Sequence, residues 1–305
     1  MAKRSEHPTD RATRLGLGLV AAAVAMTVLA IAYVLGSHAW DAFRFAGTSL
    51  ATGSDWDPVE PSFGAWPFIF GTLFSSAIAI ALAVPIGFLV ALFLTELAPR
   101  WLRSPLGILV ELLAGVPSIV FGMWGFFYLA PKMHETFEPW VLAHAGWIPI
   151  FGEVTPGVGF LLAGLVLAIM ILPTITAISR DALLGVPRLE REAAYALGAT
   201  RWEVARTSLR SAKAGLFAAA TLGLGRALGE TIAVTLVIGN VAHSKLRLFD
   251  QGATLASTLA NQVGEASDPL MLSALIALGF ILFLLTLVVN LGARLVIERP
   301  WRKHA

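Results

Sequence analysis

Trp66-Pro-Phe-Ile-Phe-Gly-Thr-Leu-Phe-Ser-Ser-Ala-Ile-Ala-Ile-Ala-Leu-Ala-Val-Pro-Ile-Gly-Phe-Leu-Val-Ala-Leu-Phe-Leu94 carries no charge, and the charge-free stretch around it runs from Pro61 to Thr95. A helix crosses a hydrocarbon core of ~30 Å in about 20 residues, so this stretch is more than long enough for one perpendicular crossing. Phe63, Trp66, Phe68 and Phe70 at its start suit an interfacial belt. It lacks the strict polar–apolar alternation of a porin strand, and the predicted element is a helix.

Five further stretches read the same way: Leu15–Leu35, Ser104–Ala130, Val158–Ser179, Ala214–Val241 and Pro269–Ile297. With 57% hydrophobic and 14% charged residues and a mean hydropathy of +0.76, the 305 residues have too little polar surface to coat a soluble globule. The expected fold class is an all-α integral membrane protein of six helices.

Positive residues near span ends stay on the cytoplasmic side. With the N-terminus inside, seventeen of the twenty-two Lys and Arg residues fall inside, among them Lys3, Arg4, Arg100, Arg103, Arg180, Arg188, Arg191, Arg201, Arg302 and Lys303. Only Arg44, Lys132, Lys245 and Arg247 fall outside, and Arg226 lies within a span. Both termini are therefore expected in the cytoplasm. The first apolar run lacks a clear small-residue cleavage site and reads as a retained helix. The basic pI reflects topology; because the charges are spread over every inside segment, no nucleic-acid surface is indicated.

The absence of cysteine excludes disulfides and thiolate chemistry. The six histidines have no metal-ligand spacing, and none of the five lysines completes a G-K-[ST] phosphate loop. No catalytic, cofactor or metal site is expected on this chain, and ATP, if it drives the protein, must be bound by a partner. The expected organisation is a cytoplasmic tail over 1–14, a first span with an external loop over 15–64, a membrane core over 65–297 containing a cytoplasmic loop over 180–213, and a tail over 298–305.

That long loop contains Arg188-Leu-Glu-Arg191-Glu192-Ala193-Ala194-Tyr195-Ala-Leu197-Gly198-Ala-Thr200-Arg-Trp-Glu203. Pro187 suits the first turn of one helix and Gly198 its end, while Thr200 with Glu203 forms a capping box for a second helix. Ala193 and Ala194 admit a close partner backbone, and Tyr195 and Leu197 offer an apolar face to it. A docking helix and an ordinary inside loop both remain open on these residues alone.

Glu192-Ala-Ala-x3-Gly198 is similar to the EAA motif of ABC-importer permeases. The Leu-Pro that closes that motif is replaced by Arg210-Ser211, so a less sharply bent entry into the fifth span is expected. Leu222-Gly-Leu-Gly-Arg226-Ala-Leu-Gly-Glu230-Thr-Ile-Ala-Val-x3-Ile-Gly-Asn240 resembles the fifth-helix signature of the PstC family of phosphate permeases. Glu111-Leu-Leu-Ala-Gly-Val-Pro117-Ser118 and Met170-Ile-Leu-Pro173 agree with it, and the resemblance extends from about Gly64 to Val296. It implies a type I ABC importer transmembrane domain in a bacterial inner membrane, with Glu192, Ala193, Ala194 and Gly198 coupling to an ATPase. It further implies a PstA-like second permease, a PstB-like ATPase dimer holding ATP and Mg, and a PstS-like phosphate-binding protein. A permease for sulfate, molybdate or tungstate, and an ion-driven secondary transporter, are the alternatives.

An ionised residue at the centre of a span costs roughly 2.5–3.5 kcal/mol on insertion scales. The i, i+4 spacing of Arg226 and Glu230 puts both on one helix face, where they are expected to pair and point into the bundle interior or an aqueous path, either as a substrate station or as a structural ion pair. Glu111, close to a kink at Gly115–Pro117, is a third candidate for the path or for a structural role. Gly225 and Gly229 are expected to give close helix packing, and Pro85 and Pro173 are candidate hinges.

Overall fold

The computed structural model describes residues 8–57 and 60–298. The basic residues Lys3, Arg4, Arg299, Arg302 and Lys303 lie outside them. Helix α1 is Pro8–His38, so helix begins inside the expected 1–14 tail. A short α2, Trp40–Ala46, and an antiparallel strand pair, β1 Trp56–Asp57 and β2 Ser62–Phe63, then lead into α3, Trp66–Leu92. A π-helical turn, Phe93–Leu97, extends α3. Then follow α4, Arg100–Ala114, and α5, Ser118–Trp124, whose helical path runs on to Ala145. The remaining helices are α6 Phe160–Leu184, α7 Arg188–Ala196, α8 Arg201–Ser211, α9 Lys213–Leu228, α10 Ile232–Val237, α11 Leu255–Gln262 and α12 Pro269–Glu298.

Helix α6 is the centre, with 61% of its most apolar window covered by the rest of the chain against 0% for α1. Ala79 and Ala83 of α3, Val166, Ile171 and Ile175 of α6, and Ala233 and Val237 of α10 form one buried cluster. Close approach of α9 to α6 depends on Gly223, where an added Cβ would lie 2.7 Å from the Ile175 side chain. At Gly225 a Cβ would lie 3.7 Å from the Asn290 amide of α12, an ordinary contact distance, while at Gly229 its nearest neighbour would be the Gly225 carbonyl of the same helix, also at 3.7 Å. Many leucines and valines are left uncovered by the chain itself, an apolar surface suited to hydrocarbon.

Four helices are continuous, long and apolar enough to cross a membrane: the parts of α1 from Thr13, α3 through Leu97, α6, and α12 to Leu295. The expected third and fifth spans are not single helices. The third bends by 90° between Trp101–Ala114 and Ser118–Ala145, since Gly115 ends one helix and Pro117 cannot donate to its continuation. The fifth is divided at Gly229–Thr231 into α9 and α10, where Gly229 and the β-branched Thr231 are both poor helix formers. Pro85 and Pro173 lie inside uninterrupted helices.

The two ends of the bundle differ in chemistry. At one end, α8 packs on the ends of α3 and α6 through Ala91, Leu92, Leu183, Ala205 and Leu216, close to most of the described basic residues. The opposite end is capped by α2, the strand pair and the segments around 146–159 and 238–254. There Trp56 donates to Gln262 at 2.8 Å and Leu248 to the Ile150 carbonyl at 2.7 Å.

Candidate functional site: the helical hairpin and the charged helix break

The α7–α8 hairpin folds as its turn chemistry dictates. Pro187 stands at the N-cap of α7, one position before the first turn where it was expected. Gly198 adopts φ +83°, a left-handed conformation that glycine enters without a Cβ penalty, and its N–H bonds the Tyr195 carbonyl. The Thr200 hydroxyl accepts from the Glu203 N–H at 3.4 Å, and the Glu203 carboxylate accepts from the Thr200 N–H at 2.7 Å, which completes the capping box. The Thr200 N–H and, at 2.8 Å, the Thr200 hydroxyl both donate to the Glu203 carboxylate and hold its carboxyl below the ordinary pKa. Helices α8 and α9 are separated by Ala212 alone.

The outer surface of this hairpin is apolar where water would disfavour it. Leu197 is 89%, Leu189 77% and Trp202 60% exposed, and Tyr195 is about half exposed. Ala193 is exposed, Ala194 is half-buried, and Glu192 lies on the surface 2.9 Å from Arg188. That exposed i,i+4 pair contributes little stability.

The inner surface is polar at one point. Arg191 Nε lies 3.1 Å from Glu96 Oε1, with side chains 22% and 11% exposed. The same guanidinium donates through Nη2 to the Leu183 carbonyl and, at 3.4 Å, through Nε to Ser208 Oγ. Sequence reasoning missed Glu96, whose only signal was that it ends the longest charge-free run.

Within the membrane the expected ion pair does not form. Helix α9 stops at Leu228, so Arg226 occupies its last turn while Glu230 lies in the break, and the four-residue spacing no longer sets them on one face. Among the described residues neither side chain has a hydrogen bond or a carboxylate–guanidinium contact within 4.0 Å; Arg226 is exposed and Glu230 partly so. Asn290 of α12 lies beside Gly225, one residue before Arg226, an amide in an apolar span that sequence reasoning overlooked. Backbone freed in this way inside a bilayer is stable only against protein or along an aqueous path.

Glu111 is paired elsewhere, 3.1 Å from Arg180 Nη2 across the α4–α6 contact, just before the 90° bend. At the capped end His243 Nε2 lies 2.8 Å from Asp250 Oδ2, beside Arg247, in an open cavity of about 320 Å³.

The profile of the binding-protein-dependent transport system inner membrane component family matches residues 83–302. A phosphate transport system permease protein PstC of Xylella fastidiosa is 44% identical over 294 residues, covering 94% of this chain and 90% of the relative. The protein of the same name from Pasteurella multocida is 47% identical over 270 residues, covering 87% and 84%. That of Mesorhizobium japonicum is 44% identical over 298 residues, covering 96% and 89%. In fold, the chain is similar to one of the MetNI methionine ABC transporter in inward-facing conformations, with a TM-score of 0.51, 21% identity, and coverage of 77% of this chain and 94% of the other.

Proposed function

The chain belongs to the binding-protein-dependent transport system inner membrane component family, and from that membership we propose that it is the permease subunit of an ATP-driven importer of inorganic phosphate. The observation that carries the substrate is the identity of 44–47%, over most of both chains, to permeases named for phosphate transport. Permeation of sulfate, molybdate or tungstate, and ATP-independent secondary transport, are set aside on the same ground. The chain performs no covalent chemistry; it provides a path and a coupling surface.

Coupling is assigned to the α7–α8 hairpin, with Glu192, Ala193 and Ala194 on α7 and Gly198 in its turn. Exposed Leu189, Tyr195, Leu197 and Trp202 support this reading, because an apolar cap standing beyond the bundle gains by being covered. Its occupant is a PstB-like ATPase subunit, one of a dimer that holds ATP and Mg. A PstA-like permease completes the membrane unit, and a PstS-like protein delivers phosphate to the capped end. Both termini and the hairpin then face the cytoplasm of a bacterial inner membrane, in keeping with the basic residues gathered at the hairpin end.

The path is assigned to Arg226 and Glu230, with Glu111 a remoter candidate now engaged by Arg180. An Arg226 with no carboxylate within ion-pair distance among the described residues supports the reading better than a neutral pair would. Phosphate near neutral pH keeps at least one proton, so Arg226 can donate to an oxyanion oxygen while Glu230 accepts the phosphate O–H. Fully deprotonated sulfate offers no such donor and leaves Glu230 facing an anion.

The test is uptake of labelled phosphate by proteoliposomes containing the complete complex and its binding protein. Arg226→Gln and Glu230→Gln are each expected to lower uptake by about 10-fold or more, the scale of one charge-assisted hydrogen bond, with assembly and ATP binding intact. Unchanged uptake in both variants overturns the path assignment. Competition by sulfate, molybdate or tungstate as strong as by phosphate overturns the substrate.

A further inference from the structure

We propose that the Glu96–Arg191 ion pair is the strut that carries movement of the α7–α8 hairpin into α3, so that these two positioning residues set how much phosphate crosses per ATP hydrolysed; the inference rests on the docking role given to the hairpin above.

Arg191 directly precedes Glu192 on α7, the helix presented to the partner, but its side chain turns inward. Its guanidinium meets Glu96 of the π-helical turn at 3.1 Å, the Leu183 carbonyl at the end of α6 and Ser208 of α8. One planar, permanently charged group therefore touches the hairpin's second helix and the cytoplasmic ends of the two central helices.

The other contacts between hairpin and bundle are of a different kind. Val204, Ala205 and the Leu183–Leu216 cluster are apolar, and apolar contact is non-directional: such surfaces resist separation more than sliding. An ion pair resists both. Glu96 is held firmly because its Oε1 is buried with no aligned hydrogen bond, leaving the nearby guanidinium as its compensation. A buried carboxylate that lost that cation would be left uncompensated, so the pair stays closed while the hairpin moves.

The backbone beneath Glu96 supports the same role. Phe93–Leu97 closes with a bond from the Ala98 N–H to the Phe93 carbonyl at 2.7 Å, the wider i→i+5 turn that occurs mostly as a single insertion, often at functional sites. The extra residue advances the chain around the helix axis, and Glu96 lies within it. A pull on Glu96 therefore acts at the one irregular turn of α3, below a helix that packs along α6 for most of its length.

The experiment measures phosphate imported per ATP hydrolysed in proteoliposomes containing the complete complex. Glu96→Gln is expected to keep the ATPase bound and hydrolysing while the ratio falls by about 5-fold, within the range that changes along a coupling route produce. The chain contains no cysteine, so a Glu96→Cys/Arg191→Cys protein, combined with cysteine-free partners, presents two unique thiols. Its ratio is expected to be low, to return towards the original with a short bis-methanethiosulfonate cross-linker, and to fall again on reduction. A wild-type ratio in Glu96→Gln, loss of the ATPase from that variant, or no recovery on cross-linking overturns the strut. Leu197→Asp tests the docking reading separately: retention of the ATPase by this variant overturns docking, whereas its release leaves docking standing and the strut to be judged on the ratio alone.

Discussion

At the residue scale, the hairpin was the best-read part of the chain because its signals are local. Thr200, Glu203 and Gly198 act on backbone groups within three or four residues, and each does in the structure what its chemistry requires. Glu203 gives a pH dependence whose sign follows from its lowered folded-state pKa. Its contribution is complete above the ordinary carboxylate value and is lost as pH falls through the lowered one. Circular dichroism and amide exchange of the hairpin are expected to show α8 fraying first at its Thr200 end in that acid window. Thr200→Ala should shift the fraying towards neutrality and weaken the start of the helix by about 1 kcal/mol. Arg191 and Glu96 could not be paired in advance, since nothing local links residues 95 positions apart. The four-residue spacing of Arg226 and Glu230 gives a pair only on an unbroken helix, and the break at Gly229–Thr231 separates them.

At the element scale, the four continuous spans were legible from length and apolarity, which lipid makes almost sufficient. The two interrupted ones were not, because hydropathy averages over Gly229–Thr231 and Gly115–Pro117 without registering lost backbone bonds. Gly115–Pro117 was recognised as a kink, though not as a turn of 90°. Glycine spacing was only part of the signal: Gly225 faces α12 at ordinary contact distance, but the tightest approach is at Gly223, whose neighbour Ile175 is fixed by tertiary structure. Gly223→Leu is therefore expected to destabilise the α6–α9 contact by about 1–3 kcal/mol, read as a lowered midpoint of denaturation in detergent. Gly225→Ala, with 3.7 Å to its nearest neighbour, should leave the midpoint almost unchanged.

At the scale of the whole molecule, the asymmetry of Lys and Arg gives a topology that the fold makes testable. In an otherwise cysteine-free chain, Lys245→Cys at the capped end should react with a membrane-impermeant maleimide on intact cells. Arg201→Cys on the hairpin should react only after permeabilisation, and the reverse pattern overturns the orientation. The position of α1 has a consequence of another kind. It is uncovered along its apolar window and packs against α12, with Gly36 under the Phe280 ring and the His38 carbonyl accepting from Ser273, 235 residues away along the chain. Contacts separated so far along the chain form only after α12 has been made, so α1 must be held by the bilayer until then, and the α1–α12 contact is a late step in closing the bundle.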